Sequence, residues 1–167
     1  MMLKSHEKFH SANGRRQVLI VDDEPINREL LGAVLETDYE VFYAADGAEA
    51  METIRALKDT LSLVMLDLLM PVLSGTEVLK RLKADSELSR IPVIVLTADQ
   101  NAEIESLGLG AIDFIPKPYP QRGVILARVR RTIELSEDRD IIQSTERYPL
   151  TGIYIREFFY RYAEQFD

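Results

Sequence analysis

Val18-Leu19-Ile20-Val21-Asp22-Asp23-Glu24 is an unbroken run of four apolar residues that stops on three carboxylates, two adjacent aspartates and a glutamate. A strand that is apolar at every position is buried on both faces, which is the pattern of a parallel sheet's interior. The same construction recurs downstream: Leu63-Val64-Met65-Leu66 ends at Asp67, a run over 91–96 ends at Thr97, and a run over 111–115 leads to Lys117. In an open parallel α/β sheet the carboxyl ends of the strands face one crevice, so residues distant in sequence converge there. The expected product is a pocket of three carboxylates, one hydroxyl and one ammonium. Taken singly, each has an ordinary explanation: an Asp after a strand is a turn or helix-cap residue, and a Lys is a solvated surface group. Their coincidence at four strand ends is what carries the reading.

Outward from these runs, strands are expected over 17–21, 40–44, 61–66, 91–96 and 111–115, each short and rich in β-branched or aromatic residues. Helical patterns lie between them over 25–35, 47–57 and 76–84, with a weaker one over 101–109 and a stronger one from Arg122. Pro25 suits a helix start, and Val78, Leu79 and Leu82 share one helical face. Strict β-α alternation calls for an α/β fold, doubly wound: a five-stranded parallel sheet with helices on both sides and the strands over 18–21 and 63–66 in its centre.

Composition narrows the function. The chain has 167 residues, 46% of them hydrophobic, enough for one good core plus an appendage. A formal net charge of −8 argues against a nucleic-acid surface, because phosphate backbones require a basic patch. No cysteine is present, which removes disulfides and thiolate chemistry. Residues 1–16 read as a flexible polar leader without a signal-peptide core, and no later run approaches a membrane span, so a cytoplasmic protein is expected. His6 and His10 are spaced to share a metal, yet no third ligand is near them in sequence.

Four segments together resemble the response-regulator receiver domain of bacterial two-component signalling: Val18 to Glu24; Asp67-Leu68-Leu69-Met70-Pro71 followed by Ser74-Gly75; Val95-Leu96-Thr97-Ala98; and Phe114-Ile115-Pro116-Lys117-Pro118. The resemblance covers 17–135 and implies a flavodoxin-like strand order 2-1-3-4-5. It also implies a phosphoacceptor at Asp67, which takes a phosphoryl group from a sensor histidine kinase or phosphotransfer protein as an acyl phosphate. Clustered carboxylates need a compensating hard cation, and Mg²⁺, with Mn²⁺ as an alternative, fits oxygen donors. Asp23 and Asp67 would bind it directly, Asp22 through water, and the backbone carbonyl of Leu69 would complete the protein's share.

Phosphoryl transfer asks mainly for positioning and charge neutralisation, here from Lys117 and Thr97. The family's Lys-Pro bond is cis, and Lys117-Pro118 matches it. By the same resemblance Thr97 and Phe114 form the switch, the aromatic ring swinging inward after the threonine moves, and the readout surface is 101–109, the fifth strand and the helix after Arg122. Core packing is the ordinary role of Phe114, and both can hold. Leu69 and Asp99 fall where receivers line the path of hydrolytic water, so an apolar Leu69 is expected to slow dephosphorylation.

The helix from Arg122 is expected to run on through a linker over 136–147, either as a dimerising signalling helix or as a solvated connection, since Ser136 to Asp140 is polar and the heptad pattern poor. Beyond it, Leu150-Thr151-Gly152 and the amphipathic stretch to 166 resemble the opening of GGDEF domains, the diguanylate cyclase family. Tyr148 and Ile155 depart from that pattern, and no Gly-Gly-Asp-Glu-Phe motif occurs, so this chain is not expected to make cyclic di-GMP. Its apolar stripe of Phe158, Phe159, Tyr162 and Phe166 would seek a partner, and a homodimer through that segment or the readout face is expected.

Two other classes stay open. A phosphohydrolase of haloacid-dehalogenase type uses similar groups but wants a second Asp two residues after its nucleophile, where Leu69 stands. A phosphate-independent pseudo-receiver would usually lack one of Asp23, Asp67 or Lys117, and all three are present.

Overall fold

A computed structural model describes residues 14–145; the leader's first thirteen residues, His6 and His10, and the segment 148–167 lie outside the described residues. The elements alternate strictly: β1 Gln17–Val21, α1 Pro25–Leu35, β2 Glu40–Ala44, α2 Gly47–Ala56, β3 Leu61–Asp67, α3 Gly75–Ala84, β4 Val93–Thr97, α4 Gln100–Gly108, β5 Asp113–Pro116 and α5 Arg122–Thr145. The strands form one five-stranded parallel sheet in the order β2-β1-β3-β4-β5. This is the doubly wound parallel sheet expected from the apolar runs, in the flavodoxin-like order that the receiver resemblance implies.

Side chains of a strand alternate between faces, and the sheet's two faces accordingly carry separate cores. Val18, Ile20, Leu63, Met65, Ile94, Leu96 and Ile115 pack with Leu31 and Leu35 of α1 and Ile125 and Val129 of α5. Leu19, Val21, Val64, Leu66, Val93 and Val95 pack with Ala50, Met51 and Ile54 of α2 and Val78, Leu79 and Leu82 of α3. Every residue of β1, β3 and β4 is buried, so β4 joins the two strands whose uniform apolarity placed them centrally. Each fully buried Leu or Ile in these layers stabilises the fold by roughly 1.5–3 kcal/mol.

Two strand starts differ from expectation by two residues. The Ile91 amide is taken by Leu88 O at 3.0 Å, closing a turn, so β4 begins after Pro92. The Ala111 amide is taken by Ser106 O at 3.0 Å, which ends α4 and delays β5 to Asp113. Helix starts are locally specified: Asp46 accepts the Glu49 amide at 2.8 Å, Ser74 that of Glu77 at 3.2 Å, and Asp99 that of Asn101 at 2.9 Å. Helix α5 continues without a break from Arg122 to Thr145, spanning the expected linker's first ten residues. The chain divides into two units between Ile133 and Glu134, within this helix.

Candidate functional site

The strand ends deliver their polar residues to one edge of the sheet. Asp22 and Asp23 follow β1, Asp67 closes β3, Thr97 closes β4 and Lys117 follows β5. Carboxylate oxygens of Asp22, Asp23 and Asp67 all lie within 4.8 Å of one another. The three differ sharply in environment: Asp22 is fully buried, Asp67 is 4% exposed, and Asp23 faces solvent.

Asp22 is held from every side. Its Oδ1 accepts the Glu24 amide at 3.0 Å, its Oδ2 faces Lys117 Nζ at 3.3 Å and the Tyr119 hydroxyl at 3.4 Å, and its carbonyl takes Arg28 Nη1 at 2.7 Å. Lys117 Nζ is also 3.3 Å from Asp67 Oδ1, so one ammonium is shared between two buried carboxylates. The Lys117-Pro118 bond is cis, and the Lys117 amide donates to Thr97 O at 3.0 Å, tying the β5 exit to β4. Asp67 Oδ1 additionally accepts the Leu69 amide at 3.2 Å.

The charge balance is uneven. Burial pushes the Asp67 carboxyl up to about 6, the Asp22 charge adds to that, and Lys117 and the Leu69 amide oppose it. Burial, and then the Asp22 and Asp67 charges, also raise the Tyr119 phenol above its ordinary value. An acidic group driven toward its neutral form marks a site that gains from an added cation. Three hard oxygen donors converging beside one ammonium fit a small divalent metal such as Mg²⁺, which Asp22, Asp23 and Asp67 would hold.

Thr97 is 4% exposed and its Oγ1 accepts the Asp99 amide at 3.1 Å, which leaves its hydroxyl proton for another acceptor. Leu69 is 80% exposed on the loop between β3 and α3. In that loop Val72 has a positive φ of 69°, and the Leu73 amide donates to Pro71 O at 2.8 Å, forming a γ-turn around it. Gly75 ends the loop against β3: a Cβ there would collide with the Asp67 carbonyl oxygen. Phe114 lies on β5, half-buried against the α2–α3 side of the sheet. Arg128 of α5 reaches it: Nη1 donates to Phe114 O at 2.8 Å and to Asp113 Oδ1 at 3.1 Å, and the guanidinium sits 5.9 Å from the ring centroid.

Arg28, Tyr119 and Arg128 therefore belong to the site's surroundings although sequence reasoning did not select them. Tyr119 had a signal, being two residues past Lys117 in a turn bounded by prolines. Arg128 had a weaker one, a cation between the core-facing Ile125 and Val129.

The model of the response regulator receiver domain matches residues 18–130. The chain is 39% identical over 137 residues to the response regulator GtcR of Aneurinibacillus migulanus, covering 78% of this chain and 54% of that protein. It is 35% identical over 127 residues to the DNA-binding response regulator MtrA of Mycolicibacterium smegmatis, covering 74% of this chain and 53% of that one. The chain thus spans about half the length of these curated relatives. Among solved structures, the receiver domain of the sensor histidine kinase PA1611 from Pseudomonas aeruginosa, with a magnesium ion in its active-site cleft, superposes with a TM-score of 0.61 at 28% identity, covering 71% of this chain and 97% of that one. Receiver domains are signalling modules that partner with histidine kinases, and their acidic triad is of the Mg²⁺-binding kind. With its sheet order, its triad and this match in agreement, the chain belongs to the response regulator receiver domain family.

Proposed function

We propose that this chain is a phosphorylation-dependent switch in which Asp67 is the phosphoacceptor and a sensor histidine kinase or phosphotransfer protein is the donor. The observation that carries the proposal is Lys117 Nζ bridging Asp22 Oδ2 and Asp67 Oδ1 at 3.3 Å each, inside an acidic triad at the carboxyl edge of the sheet. In this reading an Asp67 carboxylate oxygen attacks phosphorus, the new O–P bond forms as the bond to the donor breaks, and the donor keeps its electron pair. Lys117 and the Thr97 hydroxyl meet the phosphoryl oxygens, while Asp23, Asp67 and the Leu69 carbonyl would hold the metal directly and Asp22 through a bound water. Mg²⁺, or Mn²⁺ in its place, supplies neutralisation of the phosphoryl charge. The transfer and the later hydrolysis are catalysed by the chain on itself, with no turnover of an external substrate.

Phosphorylation would bias α4, β5 and the start of α5 through Thr97 and Phe114. Exposed apolar residues on that side, Ile104 at 73% and Leu107 at 41% on α4 and Val124 at 41% on α5, support its use as a surface for a second copy or an output domain. The 17–135 region is the receiver, 136–147 a linker. We assign the segment 148–167 to the start of a GGDEF-type output, on the strength of Leu150-Thr151-Gly152. Among the described residues no helix is long and apolar enough to cross a membrane.

Intact mass spectrometry after incubation with Mg²⁺ and acetyl phosphate tests the proposal. The expected result is one phosphoryl adduct that requires Mg²⁺ and is absent from Asp67→Asn. No adduct under conditions that preserve acyl phosphates, together with no Mg²⁺ binding in a calorimetric titration, would make the domain a phosphate-independent interaction module.

A further inference from the structure

Asp22 is fully buried, and a buried carboxylate stripped of its donors is strongly destabilised. Its Oδ2 faces two side-chain donors, Lys117 Nζ at 3.3 Å and the Tyr119 hydroxyl at 3.4 Å. Both distances are long for full hydrogen bonds, as in a set where the donors are divided among acceptors. Lys117 is the divided one, since it is equally far from Asp67.

The two donors differ in what fixes them. Lys117 is a flexible chain with 24% of its surface exposed, able to turn toward a phosphoryl group on Asp67. The Tyr119 ring is packed against the core formed with α1 and α5, and it lines a groove of about 660 Å³ beside Leu30, Val34 and Ile125. Its hydroxyl is therefore carried to Asp22 by apolar packing that does not involve the Lys117 ammonium.

We propose that Tyr119 is a positioning residue for phosphoryl transfer: it keeps Asp22 Oδ2 satisfied so that Lys117 is released to meet the phosphoryl oxygens. This rests on the reading of Asp67 as phosphoacceptor. Without the hydroxyl, Lys117 becomes, among the described residues, the sole side-chain donor to the Asp22 carboxylate and is held on it. The step itself is unchanged: the O–P bond to Asp67 forms, the P–O bond of acetyl phosphate breaks, and acetate leaves with the electron pair.

The test compares the full chain with Tyr119→Phe, which keeps the ring and its packing. With acetyl phosphate as donor, the maximal rate of adduct formation at saturating Mg²⁺ should fall three- to tenfold, while the calorimetric Mg²⁺ dissociation constant stays within twofold and the urea midpoint is unchanged. The ¹⁵Nζ correlations of Lys117 should sharpen in the metal-free variant as the ammonium is pinned on Asp22. In a Lys117→Met background, the same tyrosine substitution should change the rate by less than twofold. Equal maximal rates for the wild-type chain and Tyr119→Phe overturn the proposal, as does a rate loss that persists in full without Lys117. A wild-type chain that takes no phosphoryl group removes the Asp67 reading itself, a result distinct from either of these.

Discussion

The carbonyl oxygen of Asp67 fills the space in which a Cβ on Gly75 would stand. The backbone of the candidate acceptor thus packs directly on the first residue of α3, and the Gly75 amide completes the contact by donating to Leu68 O at 3.0 Å. Only a residue without a side chain permits this approach. Gly75→Ala should force β3 and α3 apart, lowering stability by about 1–3 kcal/mol and weakening Mg²⁺ binding at the same time. Urea unfolding and calorimetric titration of the variant check this; full stability with native metal affinity would show that the loop absorbs the methyl group elsewhere.

Asp67 gives the metal-free chain a characteristic pH response. Its carboxyl titrates near 6 when folded against an ordinary 3.8, so between those values the folded state holds more protons than the unfolded one. Stability from this group is present at low pH and is lost as pH rises through about 6. The loss is bounded by roughly 3 kcal/mol, at about 1.4 kcal/mol per pH unit. Subtracting the stability–pH curve of Asp67→Asn from that of the parent in chelator should isolate a decline between about pH 4 and 6. A flat difference would mean that the folded carboxyl is not raised.

Lys117 is the ammonium shared by Asp22 and Asp67. Lys117→Met should leave the two carboxylates under-compensated and reduce metal-free stability by about 1–3 kcal/mol. Mg²⁺ should then raise the melting temperature of the variant more than that of the parent, because the cation replaces lost positive charge. An equal Mg²⁺-induced rise in both proteins would argue against electrostatic sharing.

Arg128 ties α5 to the strand that bears Phe114, through Asp113 Oδ1 and the Phe114 carbonyl. These groups are partly exposed, so Arg128→Ala should lose only about 1–2 kcal/mol. The informative measurement is a double-mutant cycle with Asp113→Asn, in which a coupling indistinguishable from zero would assign the whole effect to the carbonyl and ring contacts.

Leu69 stands 80% exposed beside the acceptor and contributes little packing. Leu69→Asn should leave stability within about 0.5 kcal/mol and shorten the lifetime of phosphorylated Asp67 by giving hydrolytic water a polar group. The decay of the phosphoryl adduct followed by mass spectrometry decides it, and an unchanged half-life would remove Leu69 from the hydrolysis path.

The fold and the carboxyl-edge cluster were legible because they follow from local rules. Apolar runs over 18–21 and 63–66 specify two-sided burial, and the residue after each run is carried to the edge by strand direction alone. What was not legible depends on geometry a single sequence does not display. Asp22 and Asp23 are the same residue type in neighbouring positions, yet one is wholly buried and the other exposed, because successive side chains leave the strand in different directions. Tyr119 approaches Asp22 across 97 positions of sequence, and Arg128 meets Phe114 only because α5 packs back over β5. The strand starts at Ile91 and Ala111 were misplaced because both residues have strand-like composition, while their amides are claimed by turn carbonyls.

The γ-turn at Val72 places a β-branched side chain in a left-handed backbone region that glycine or asparagine occupies far more readily. A β-branched residue held there costs on the order of 1 kcal/mol, so the loop that follows Asp67 keeps its shape against a local backbone preference, and a glycine at position 72 would adopt the same turn without that cost.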